Sequence, residues 1–218
     1  MRPRRLALVA VLLLIATCGA VVAMPLKGPH RAGEAAIAIR DAVPLYQQVL
    51  TERYTVPRLE AGYERYWYFT ETKTVTKHAE LRAALEEATT LFTHVDVYLL
   101  AHGNHYIDEV RRLSPEQRRR IRLVYDTGGS SARQGHEWMQ LGVRTFIGHP
   151  GGNIAPAFYV WFLPRWVKEQ DAASAMRAAN DDVHGLLYGP AGSVAKWFVD
   201  RDALWLGTEA KLFQNQND

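Results

Sequence analysis

Three short apolar runs, Val95–Ala101, Ile121–Tyr125 and Val143–Ile147, each stop abruptly in a polar, glycine-rich loop. Runs of this length, rich in Val, Leu, Ile and aromatic residues and closed by Gly, suit strands buried on both faces of a parallel sheet. Between and around them lie segments with helical spacing, so the pattern predicts an α/β fold: a three-layer sandwich with a mostly parallel sheet. The loops leaving the three runs carry His102, Gly103, Asn104, His105, Asp126, Thr127, Gly128, Gly129, His149 and Asn153. In open α/β sheets, ligands and chemistry gather at the carboxyl ends of the strands. The sequence therefore points to one edge of one sheet.

Further elements follow from the same reasoning. Glu34–Tyr54 has Ala36, Ile39, Val43, Tyr46 and Leu50 at spacings of three and four, predicting a helix interrupted at Pro44. Tyr63–Phe69 is aromatic and alternating, a strand. Thr76 is positioned to cap a helix over 77–92. Ser114-Pro115-Glu116-Gln117 is a compact helix start, with Ser as cap and Gln three residues on. A helix is expected over Ala132–Leu141, a buried one over Pro156–Glu169, and another over Asp171–His184. The aromatic tail Ala195–Phe213 is expected to cover a sheet edge.

The amino terminus reads differently. Arg2, Arg4 and Arg5 precede a continuous apolar run from Leu6 to Met24, the layout of a secretory signal or an uncleaved anchor. Ile15-Ala16-Thr17-Cys18 also has the outline of a lipoprotein box. All three readings place the body outside the cytoplasm, secreted or held at a membrane through residues 1–24, with 25–33 a linker and 34–218 the α/β domain. Without those three arginines the net charge of +3 falls to about zero, which gives no support for a nucleic-acid partner. The one cysteine, Cys18, lies in the apolar run, so the body holds no thiol nucleophile, disulfide or Cys-based zinc site. No cofactor is expected.

The order of motifs, VYLLAHGN, then LVYDTGGSS, then LGVRTFIGHP, resembles that of the caspase-like peptidases, the CHAT-type and legumain-type members above all. In that family one strand ends in the catalytic His-Gly. The next ends in an acidic or small residue, Ala and the nucleophilic Cys, followed by a helix and a Gly-Ala/Val-Arg strand. The resemblance spans about 76–180. It implies that His102 takes the base position, followed by Gly103, and that Asp126-Thr127 takes the acidic-small pair. The nucleophile position then falls on Gly128 or Gly129, where there is no sulfur. A glycine offers an N–H but forms no acyl intermediate.

The resemblance thus implies a caspase-like domain that does not cleave, with His102, Asp126 and the Gly128/Gly129 loop lining a cleft for a peptide or partner protein. The alternative is a hydrolase in which His102 acts as base and Ser130, or a metal-bound water, supplies the nucleophile. His102, His105 and Asp108 are the metal candidates, with His136 and His149 near by; loop hydrogen bonding is the plainer role for these histidines. Val124-Tyr-Asp126-Thr127-Gly128 also resembles the Asp-Thr-Gly signature of aspartic proteases, but a second such motif is missing. Arg111, Arg112, Arg118, Arg119, Arg120 and Arg122 form either a face for anionic headgroups or a solvated, acid-paired helix surface.

Overall fold

The computed structural model describes residues 31–43, 45–100, 105–151, 155–169, 171–188 and 210–215. In chain order the elements are β1 (Arg31–Arg40), α1 (Leu45–Gly62), β2 (Tyr63–Thr70), α2 (His78–Leu91), β3 (His94–Leu100), α3 (Ile107–Arg111), α4 (Pro115–Arg120), β4 (Ile121–Asp126), a 3-10 turn (Ser131–Gln134), α5 (Gly135–Gln140), β5 (Thr145–Gly148), α6 (Ala155–Glu169), α7 (Ala172–Tyr188) and β6 (Lys211–Gln214). The sheet runs β2-β1-β3-β4-β5-β6. The first five strands are parallel and β6 is antiparallel to β5.

Each face of the sheet is covered. Ala36, Ala38, Tyr98, Leu100, Leu123, Tyr125 and Ile147 pack with Leu59 of α1, with Trp161, Phe162, Leu163 and Trp166 of α6, and with the alanines of α7. Ala35, Ile37, Ile39, Val95, Val97, Leu99, Val124 and Phe146 pack with Leu81 and Leu85 of α2, Ile107 and Val110 of α3, and Trp138 of α5. The three layers of the expected sandwich are all present. Full burial on both faces explains why these strands read as unbroken apolar runs.

The stretch Glu34–Tyr54 corrects the expectation of a helix. Its first part is strand β1, which begins at Arg31 inside the predicted linker, and the helix starts only at Leu45. Every residue from Ala35 to Ile39 is fully buried, because β1 is an inner strand between β2 and β3. Alanines dominate here because α1 and α6 crowd one face and α2 the other. Their high helix propensity is overridden by pairing and burial.

Thr76 is a second correction. Lys77 occupies the N-cap of α2 and makes no side-chain cap bond. Glu71 takes the capping role from outside the helix: its Oε1 accepts from Lys77 N–H at 2.6 Å. The start of α4 is as expected, with Ser114 and Gln117 closing a reciprocal capping box. The 132–141 helix divides into the 3-10 turn and α5. Of the tail, Lys211–Gln214 pairs along β5, while 195–209 lie outside the described residues, as does the whole segment 1–30. No helix among the described residues is long and apolar enough to cross a membrane.

One polar network ties the buried layers together. Asp96, fully buried on β3, accepts from Tyr63 Oη at 2.6 Å, Trp166 Nε1 at 2.7 Å and Arg122 Nε at 3.0 Å. Arg122 also donates twice to Glu34, at 2.8 and 2.7 Å. The β3–β4 register skips Arg122: Val95 pairs Ile121 and Asp96 pairs Leu123. That extra residue gives Arg122 the freedom to reach the acids of β1 and β3.

Candidate functional site

The loop from β4 to α5 is shaped by hydrogen bonds that begin at the strand end. Thr127 N–H continues the ladder to the Leu99 carbonyl at 2.9 Å, and the Thr127 hydroxyl donates to the same oxygen. Asp126 then turns the chain, its Oδ1 accepting from Gly128 N–H at 2.7 Å. Such a local side-chain bond is the usual way an Asp initiates a turn. Ser131 fixes the other side. Its Oγ donates to the Asp126 carbonyl at 3.0 Å and accepts from His149 N–H at 2.9 Å.

The loops after β4 and β5 are therefore clasped. Ser130 N–H donates to the Gly151 carbonyl at 3.1 Å, and Ala132 N–H to the His149 carbonyl at 3.0 Å. Gly148 makes the closeness possible, since a Cβ there would stand 2.8 Å from the Ala132 nitrogen. The strained residue of the turn is Ser130, with φ +62°, and neither Gly128 nor Gly129. A left-handed conformation costs a non-glycine residue about 1–2 kcal/mol. Ser130 is half-buried, and its hydroxyl makes no hydrogen bond among the described residues.

Two buried titratable groups flank the clasp. Asp126 is fully buried, its Oδ2 has no hydrogen-bond partner, and burial pushes its carboxyl up to about 7 against the pull of the Gly128 N–H. His149 is fully buried too, with Nε2 3.3 Å from Tyr125 Oη, and burial pushes its imidazole down to about 3. Both are neutral at mildly acidic pH. Burial also raises Tyr125, helped by Asp126.

The expected site residues thus separate into groups. Asp126, Thr127, Gly128 and His149 are buried structural members of the edge, whereas Gly129 is exposed and Ser130 half-exposed. His102, Gly103, Asn104 and Asn153 lie outside the described residues. Of the metal candidates, His105 is exposed, and Asp108 is paired with Arg111. Among the described residues no group of three His, Cys, Asp or Glu side chains has metal-holding geometry. The Asp126 shift has no carboxylate among its causes, so nothing here resembles the shared-proton pair of an aspartic protease.

The arginine cluster is largely tied down. Arg111 pairs with Asp108 and Glu137, and Arg119 with Glu116. Arg118 and Arg120 donate to carbonyl oxygens of neighbouring turns. Arg122 belongs to the buried Asp96 network and not to the surface.

A neighbouring cluster escaped the sequence. Glu71, buried at the end of β2, accepts from Tyr106 Oη at 2.7 Å; His78 stacks on Tyr106 and lies 3.3 Å from Glu109, also buried. They come from three places in the chain, the end of β2, the start of α2 and the start of α3, so no single spacing announces them. They anchor α3 beneath the bend at 105–106. No protein-family model matches the chain, and no curated protein matches its sequence significantly.

Proposed function

We propose that the chain is a caspase-like domain, outside the cytoplasm and secreted or membrane-held through its N-terminal segment, that binds a peptide or protein partner at its carboxyl edge without cleaving it. The order of elements supports this reading: β3 and β4 are adjacent and parallel, and the turn after β4 leads through α5 to the Gly142-Val143-Arg144 segment before β5. One observation carries the loss of chemistry. The polar groups at the nucleophile register are turned inward, Asp126 onto Gly128 N–H and Ser131 onto Asp126 and His149. Gly128 itself is buried. A clasped, prearranged loop with an exposed Gly129 suits binding, because little ordering remains to be done when a ligand arrives.

A second reading is favoured by Ser130. A serine in the left-handed conformation on the turn between β4 and α5 keeps its hydroxyl out of the clasp, and His102 would serve as its base.

One experiment separates the two. The purified protein is offered a peptide and ester substrate library and a fluorophosphonate probe, beside His102→Ala and Ser130→Ala variants. Absence of turnover and of labelling, with partner capture from a photo-cross-linker at position 129, supports the binding module. Turnover lost in both variants overturns it and establishes the serine hydrolase.

A further inference from the structure

The end of α2 carries the most exposed large apolar side chain among the described residues, Leu91, which is 62% exposed. Arg120 straddles it from the end of α4. Its Nη1 donates to the carbonyl oxygens of Thr90 and Phe92, at 3.0 and 3.2 Å. Arg119 is next in the chain, and its own carbonyl accepts from Nε of Arg144, just before β5, at 3.2 Å. Arg119, Arg120 and Arg144 are all exposed. Leu91 and the three arginines thus form one linked group at the amino edge of the sheet.

The carbonyl contacts orient the arginines without cancelling their charge. A carbonyl oxygen is a neutral acceptor, so Arg120 and Arg144 spend donors on it and stay cationic. Arg119 pairs with Glu116, but both side chains are more than half exposed, and such a pair contributes little.

The path of the chain adds a second, independent observation. Thr93, two residues after Leu91, holds the entry into the fold: its N–H and its hydroxyl both donate to the Gly33 carbonyl, at 2.9 and 2.8 Å. The polypeptide therefore joins β1 beside this group. Six residues, 25–30, separate Arg31 from the end of the apolar run at Met24. A chain extends at most about 3.6 Å per residue, so the entry point lies within about 25 Å of wherever that run ends. The inference rests on the reading that the chain is membrane-held through its N-terminal segment; on that reading the amino edge of the sheet is tethered close to the bilayer.

We propose that Leu91, Arg119, Arg120 and Arg144 form a surface that docks on anionic phospholipid headgroups, with Leu91 entering the boundary between headgroups and acyl chains. Guanidinium forks suit phosphate oxygens. Apolar side chains flanked by basic ones bury at that boundary, and each basic residue held near an anionic surface strengthens association about five-fold. Docked this way, the domain presents the loops after β4 and β5 to solvent, about 30 Å out along the strands.

The test uses the full chain with Cys18→Ser and Thr90→Cys, an environment-sensitive fluorophore on the new thiol, and vesicles of phosphatidylcholine alone or mixed with phosphatidylglycerol. Flotation of the unlabelled wild type reads the tether, and the fluorophore reads docking. The expected result is a blue shift and protection from an aqueous quencher in the mixed vesicles, absent in phosphatidylcholine and reversed by high salt. The same label at position 129 should stay quenched in both. Arg119→Gln combined with Arg144→Gln should lower the docking equilibrium about 25-fold. Should that double variant not fold, Leu91→Ser decides: Leu91 is outside both core clusters, and an undiminished response in its variant overturns the assignment. A chain that floats with both vesicles while position 90 stays equally quenched overturns docking and leaves the tether reading intact. A chain that floats only with phosphatidylglycerol, and is protected at position 90, upholds docking and overturns the tether. Protection at position 129 instead of 90, or flotation with neither vesicle, overturns the proposal.

Discussion

Replacing Asp126 with asparagine should expose an electrostatic balance hidden in the wild type. The native carboxyl of Asp126 titrates near 7 against an unfolded value of 3.8. A group raised in this way contributes stability that is fully present below the unfolded value and lost as pH rises through the native one. Three pKa units correspond to about 4 kcal/mol, of which about 3 kcal/mol disappears between pH 5 and pH 8. His149 works in the opposite sense. Its pKa falls from 6.5 to about 3, so its contribution is present above the unfolded value and lost as pH falls. Between pH 8 and pH 5 that loss is about 2 kcal/mol. In the wild type the two nearly cancel, and stability should change little over this range on their account. The carboxamide of the Asp126→Asn variant retains an oxygen to accept from Gly128 N–H and has no charge to bury. The variant should therefore gain about 3 kcal/mol on the wild type between pH 5 and pH 8. It should become less stable on acidification, as His149 acts alone. Urea denaturation of both proteins at several pH values measures this directly, and every other titrating group cancels in the difference. A gap between variant and wild type that stays constant from pH 5 to pH 8 refutes the argument that Asp126 is held neutral by burial.

Three further substitutions probe the clasp and the core. Arg122→Met should cost about 3–5 kcal/mol in urea unfolding, since it leaves Asp96 and Glu34 without their shared cation; a loss below 1 kcal/mol would show the network to be solvated. Ser130→Gly should stabilise by about 1 kcal/mol by relieving the left-handed serine; a loss of stability would mean that its side chain holds the loop. Gly148→Ala should destabilise by about 1–3 kcal/mol, because the new methyl meets the backbone of Ser131 and Ala132. An unchanged midpoint for Gly148→Ala would show that the two loops can part.

The legibility of the fold varied with the kind of signal. β3 and β4 were readable because burial on both faces leaves continuous apolar runs, and the start of α4 because its cap lies within four residues. β1 was not, since the apolar residues it buries, Ala35 to Ile39, are Ala and Ile, whose spacing also satisfies a helix. Only its place between two other strands decides the matter, and that is a long-range fact. The carboxyl edge was foreseeable from where the strands stop, but the division of labour within it was not. Sequence singled out Ser130 beside Ser131 without showing that one hydroxyl is spent on the clasp and the other is not. It also placed Arg122 in a surface cluster, because its partner Glu34 lies 88 residues away.

The antiparallel strand β6 has a consequence for how the molecule is made. It is the last described element in chain order, and it lies on the open side of β5. The ring of Phe213 packs against Gly135 at the start of α5, and Asn215 Nδ2 donates to the Val143 carbonyl at 2.9 Å. A nascent chain can assemble β1 to β5 and their helices before β6 arrives. Until then β5 is a bare edge able to recruit a foreign strand. The turn carrying Ser130 and Ser131, clasped to the end of β5, would acquire its final support in the last step of folding. Delay at that step would leave the β5 edge open to misassembly.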